Sequence, residues 1–99
     1  MKKEIFENYA VEIATSFGLT KKELFSRNRS RHIVDARWVL YYLCIERPIS
    51  RLFIQQYMED SGLKVSYNNI IHGYKEGKKL INEDYDYKVI VDNILNKYE

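Results

Sequence analysis

Apolar residues recur with a helical period along the whole chain. In residues 2–17, Phe6, Tyr9, Ala10, Ile13 and Phe17 follow the i, i+3/i+4, i+7 spacing that lines one helix face. Gly18, free to take positive φ, ends that helix. Thr20-Lys21-Lys22-Glu23 reads as a capping box, in which Thr20 and Glu23 each satisfy the other's orphan backbone N–H. It opens a short helix ending near Phe25. A third helix over about 33–46 is apolar all round from Trp38 to Ile45, which marks it as the central and most buried one, with Trp38 in the core. Pro48 stops it. A fourth helix, about 50–60, carries Leu52, Phe53, Tyr57 and Met58. After the turn Asp60-Ser61-Gly62, Ser66 caps a fifth helix whose inner face is Ile70, Ile71, Tyr74 and Ile81. Asn82 or Asp84 opens the last, with Tyr87, Ile90, Val91, Ile94, Leu95 and Tyr98 inward. No stretch alternates at period two. The expectation is an all-α fold: one domain over 1–99, a compact bundle of about six helices, with no repeat and no linker.

Composition adds little until charge is placed along the chain. Apolar residues make up 45% of the 99 and charged residues 30%, enough of the former for a core. The net charge of +2 decides nothing, but its distribution does. Residues 21–37 carry six Lys/Arg against two acids, and residues 63–80 four lysines against Glu76, whereas 81–99 carries a net −3. Two basic segments and an acidic tail predict one basic face, with the tail turned away from it. The lone Cys44 allows no disulfide within the chain and reads as a small buried hydrophobe, in keeping with a reducing cytoplasm. There is no signal peptide, and the longest apolar run is far short of the ~20 residues that span a bilayer.

The candidate chemistry sits between the second and third helices. The segment Ser26-Arg27-Asn28-Arg29-Ser30-Arg31-His32-Ile33-Val34-Asp35-Ala36-Arg37 holds four arginines just ahead of the buried run. A guanidinium keeps its charge and donates parallel hydrogen bonds that match phosphate, so Arg27, Arg29, Arg31 and Arg37 are candidate nucleic-acid contacts. The fourth and fifth helices with a Gly-containing turn between them, the second helix basic, fit a helix-turn-helix. Lys64, Ser66, Tyr67, Asn68 and Asn69 would stand at the entry of its recognition helix. Asn pairs bidentately with adenine, and Tyr packs on a thymine methyl or donates to phosphate. Each has a plainer reading. Asn68 and Asn69 would also serve as solvent-facing first-turn residues, Tyr67 would fold back on the fourth helix, and His72 reads as a core histidine. His32 has no Cys or acid cluster at ligand spacing, which argues against a metal. No nucleophile has a base near it and no phosphate-cradling Gly-rich loop is present, so neither catalysis, a cofactor nor nucleotide binding is expected.

The order of basic loop, central helix and helix-turn-helix resembles the C-terminal, Trp-repressor-like DNA-binding domain of bacterial DnaA replication initiators. The likeness covers nearly the whole chain. Tyr9-Ala10-Val11-Glu12-Ile13-Ala14-Thr15-Ser16-Phe17-Gly18-Leu19-Thr20 with Glu23-Leu24-Phe25-Ser26 is similar to that domain's first helix and its entry to a basic loop of the form Ser-x-x-Arg-x-Arg-x-x-Val-x-x-Arg. The resemblance implies that Arg29 enters a minor groove with Arg31 beside it, and that Arg37 holds phosphate from the start of the central helix. A lysine often found near the end of that helix is replaced here by Ile45. The signature Gly-Gly-Arg-Asp-His-Thr-Thr-Val-x-His-Ala is eroded. Aligned on His72, Ser66 stands for Asp, Tyr67 for His, and Asn68 and Asn69 for the two Thr. A free-standing domain of this kind resembles small proteins of phages and mobile elements.

Two functions remain open at this point. One is sequence-preferring binding of double-stranded DNA in replication or its regulation, which the arginine loop favours. The other is a protein-interaction module with a degenerate helix-turn-helix that binds or inhibits a replication protein, which the eroded signature favours.

Overall fold

Side-chain caps set most of the helix starts. In a computed structural model describing residues 2–98, the chain forms α1 (Lys2–Ser16), α2 (Lys21–Leu24), α3 (Arg31–Glu46), α4 (Arg51–Asp60), α5 (Tyr67–Glu83) and α6 (Tyr85–Tyr98). The capping box at α2 is complete: the Glu23 amide donates to Thr20 Oγ1 at 3.1 Å and the Thr20 amide to Glu23 Oε1 at 2.9 Å. Ser50 Oγ accepts from the Phe53 amide and Ser66 Oγ from the Asn69 amide, which starts α4 and α5. Asp84, not Asn82, opens α6, because its carboxylate accepts from the amides of Asp86 and Tyr87. Gly18 ends α1 with φ of 68°. The architecture is all-helical, as the periodicity predicts, and among the described residues no helix is long and apolar enough to cross a membrane.

α3 forms the axis of the fold. Ile33, Asp35, Ala36, Val39, Leu40, Tyr41, Leu43 and Cys44 are buried along it, more than on any other helix. Burial pushes the Cys44 thiol well above its usual range, so it stays protonated and inert. α1 packs Phe6, Tyr9, Ala10, Ile13 and Ala14 into the same core.

The crossing of α3 and α5 departs from the sequence reading. The buried face of α5 is Ile70, Gly73, Gly77 and Ile81, while Ile71 and Tyr74 are only half-buried at its edge. A Cβ on Gly77 would stand 2.5 Å from the Trp38 carbonyl oxygen, and one on Gly73 2.7 Å from Trp38 Cδ1 and 2.5 Å from Tyr41 Cδ2. The two helices thus meet nearly backbone to backbone. That closeness leaves no room for an indole between them. Trp38 is therefore half-buried at the side of the crossing and not in the core. In α4 the buried positions are Ile54 and Met58. Leu52 (68% exposed) and Phe53 (46% exposed), read as apolar positions of that helix, face out.

Candidate nucleic-acid interface

The loop between α2 and α3 is tied down by its own polar residues. Ser26 Oγ donates to the Glu23 carbonyl at 2.7 Å and accepts from the Asn28 amide at 3.3 Å. Asn28 Oδ1 accepts from the Ser30 amide at 2.8 Å, the local side-chain-to-backbone bond that fixes an Asx turn. Arg37 reaches back from α3 and spans the whole loop. Its Nη1 donates to the carbonyls of Leu24 (3.2 Å) and Ser26 (2.8 Å), and its Nη2 to that of Asn28 (2.8 Å). Burial, with the Arg29 charge nearby adding to it and Tyr41 opposing it, lowers the Arg37 pKa, but a guanidinium starts high enough to remain charged. So the even-numbered residues of the loop are turned to internal bonds. Arg27 and Arg29, between them, are exposed and have no ion-pair or hydrogen-bond partner among the described residues.

Arg27 and Arg29 border a cleft of about 350 Å³. Arg37, Trp38 and Tyr41 form its α3 wall. Lys64 stands on the turn ahead of α5, and Asn69 and His72 on α5 itself. Gln55 pins that turn by donating from Nε2 to the Val65 carbonyl at 3.1 Å. The structure therefore brings Arg27, Arg29, Arg37, Lys64 and Asn69 to one concave surface. His72 belongs there too. It is exposed, with its ring edge-on to Trp38 at 5.7 Å, and not the core histidine that its place among apolar residues predicts, because the glycines beside it take the core position. Burial pushes the Tyr41 phenol on the α3 wall up to about 12.

Arg31 lies outside the cleft. Its Nε donates to Asp35 Oδ1 at 3.1 Å, and the buried Asp35 accepts a second bond from Tyr87 Oη on α6 at 3.0 Å. The Arg31 side chain is otherwise exposed. Ser66 is engaged as the α5 cap. Tyr67 is exposed, with the Arg51 guanidinium 5.2 Å above its ring, and so leans on the first turn of α4 without entering the core. Asn68 points to solvent. His32 bonds the Phe17 carbonyl through Nε2, which occupies it structurally. Among the described residues no group of three or more His, Cys, Asp or Glu could hold a metal.

The chain is similar to a chromosomal replication initiator. The protein concerned is the chromosomal replication initiator protein DnaA of Sulfurimonas denitrificans, 28% identical over 85 residues. The match takes in 86% of this chain and 19% of that DnaA, so the chain spans about a fifth of the relative's length. A window of 85 residues in a chain of 99 necessarily includes the arginine loop, the cleft and the α4–α5 pair. No family model matches the chain, and no solved structure does. The sequence did not point to Arg37 as the brace of the loop or to Trp38 and His72 as cleft walls. The first depends on where the loop carbonyls fall, and the second on how closely α3 and α5 approach.

Proposed function

We propose that this protein binds double-stranded DNA, in replication or its regulation, with the arginine loop and the α4–α5 pair working together as a helix-turn-helix interface. The observation that carries the reading is the braced loop. Arg37 fixes its path from behind, and Arg27 and Arg29 project unpaired over the same cleft that Lys64 and Asn69 border. A guanidinium held out without a partner is ready for phosphate or for a narrow minor groove at little ordering cost. The likeness to a replication initiator supports the same reading.

In this arrangement Arg29 enters the minor groove with Arg27 beside it, while Arg31 and Lys64 hold phosphates. The first turn of α5 meets the major groove, with Asn68 and Asn69 as the base-reading candidates and Ser66 and Tyr67 flanking them. Arg37 acts chiefly through the shape of the loop, since three of its N–H groups already serve the loop carbonyls. Binding, not catalysis, is the role, and no cofactor or nucleotide takes part.

The test is a titration against random-sequence duplex at two salt concentrations. Binding that is clear at ~50 mM salt and falls steeply by ~200 mM is expected, because each neutralised phosphate releases condensed counterions. Absence of binding at the lower salt would transfer the assignment to a protein-interaction module that binds a replication protein.

A further inference from the structure

On the opposite side of α5 from the cleft lies a second groove of about 490 Å³, between the end of α3 and the start of α4. Its walls are Ile45, Pro48, Ile49 and Ile71, so it is apolar where the first cleft is polar. Two cations stand at its mouth, Lys2 and Arg51. The Lys2 ammonium lies 5.1 Å over the exposed Phe53 ring, and the Arg51 guanidinium lies over Tyr67. Neither has an ion-pair partner among the described residues, and the Glu46 carboxylate at the end of α3 is taken up by the Tyr74 hydroxyl at 2.7 Å. With the exposed Phe53 ring beneath Lys2, this is an apolar patch rimmed by positive charge. Patches of that kind mark interaction sites. It suits an occupant with a large apolar side chain set among carboxylates, and the chain itself displays one. At the α5–α6 corner Tyr85 is 77% exposed, the most of any large hydrophobic residue described, and Val89 follows one helical turn on at 36%. Glu83 and Asp86 flank Tyr85, exposed and without ion-pair partners among the described residues.

We propose that the basic apolar groove at the α3–α4 junction takes the acidic Tyr85 corner of a second copy of this chain, head to tail. The two surfaces lie on different elements, so the contact is heterologous and each copy keeps one surface of each kind to offer. The contact rests on one exposed aromatic side chain and a few surface charges, so the association is weak and shows only at high protein concentration or where copies are held side by side. It is separable from the DNA-binding assignment, since its test reads self-association without DNA, although the Arg51 guanidinium over Tyr67 adjoins that surface.

The experiment is sedimentation equilibrium of the full chain at low salt, run up to high micromolar concentration, on wild type, Arg51→Glu, Asp86→Lys and Tyr85→Ala. All three positions are exposed, so the variants keep the fold, and far-UV circular dichroism checks this. Wild type should rise above its 11.9 kDa monomer mass with concentration and fall back at high salt, where paired surface charges are screened. Each variant should remain near the monomer mass. An equimolar mixture of Arg51→Glu and Asp86→Lys should associate, because the intact groove of the second takes the intact corner of the first. A wild type that stays monomeric throughout, single variants that associate as wild type does, or a mixture that stays monomeric would each overturn the proposal.

Discussion

A guanidinium that donates to three carbonyls of one loop fixes that loop's path before any ligand arrives. Replacing Arg37 by Ala leaves the part-buried carbonyls of Leu24 and Ser26 short of their donor, which should destabilise the fold by about 2 kcal/mol in a urea titration, the scale of a lost charge-assisted bond. Arg37→Lys should recover little of it, since one ammonium cannot span the same three acceptors. A loss below about 0.5 kcal/mol, the lower end for an ordinary hydrogen bond, would show that the loop holds its own shape. The spacing of the four arginines was plain in the sequence. Their division of labour was not, because it depends on where carbonyls and a buried carboxylate fall in space: Arg37 on the loop backbone, Arg31 on Asp35, and Arg27 and Arg29 outward. His72 shows the same limit. Its apolar neighbours in sequence predicted a core place, and the structure sets it at the cleft.

At the scale of elements, the order and ends of the helices were legible because they rest on local chemistry: the Thr20–Glu23 box, the Ser66 cap and the Gly18 stop, with Asp84 one of two candidates for the start of α6. Removing the Ser66 cap with Ala should accordingly cost about 1 kcal/mol in thermal or urea unfolding. Which face of each helix turns inward was less legible where glycine replaces an apolar residue. Gly73 and Gly77 are silent in a hydrophobic pattern, yet they form the α3–α5 crossing. Gly77→Ala should destabilise by about 2 kcal/mol despite Ala's better helix propensity, because its Cβ meets the Trp38 carbonyl, which the α3 backbone cannot withdraw. Gly73→Ala should also destabilise, since its Cβ would stand 2.5 Å from the ring of the buried Tyr41 as well as against Trp38. An unchanged or raised urea midpoint for Gly77→Ala would mean that the helices do not cross this closely.

For the molecule as a whole, the phenols set its limit in alkali. Tyr41 is pushed up to about 12 by burial, and Tyr87 to about 12 by burial and then by its bond to Asp35. A group whose folded pKa lies above its unfolded value, near 10 for Tyr, contributes stability in full below that value and loses it as pH rises through the folded one. The melting temperature should therefore hold up to about pH 10 and fall between about 10 and 12, with tyrosinate absorbance appearing alongside unfolding. A flat melting temperature across that range would show that neither phenol is held. Central to the proposed function is the presentation of Arg27 and Arg29 to a duplex by a loop braced from behind. The most direct measurement is the slope of log binding constant against log salt for random duplex, with wild type and the double variant Arg27→Ala/Arg29→Ala. Wild type should bind duplex, and the double variant should show a flatter slope, by up to about 0.9 for each groove-bound guanidinium that no longer displaces condensed counterions. The contrary result is an unchanged slope, or no duplex binding by wild type at ~50 mM salt, where such contacts are strongest.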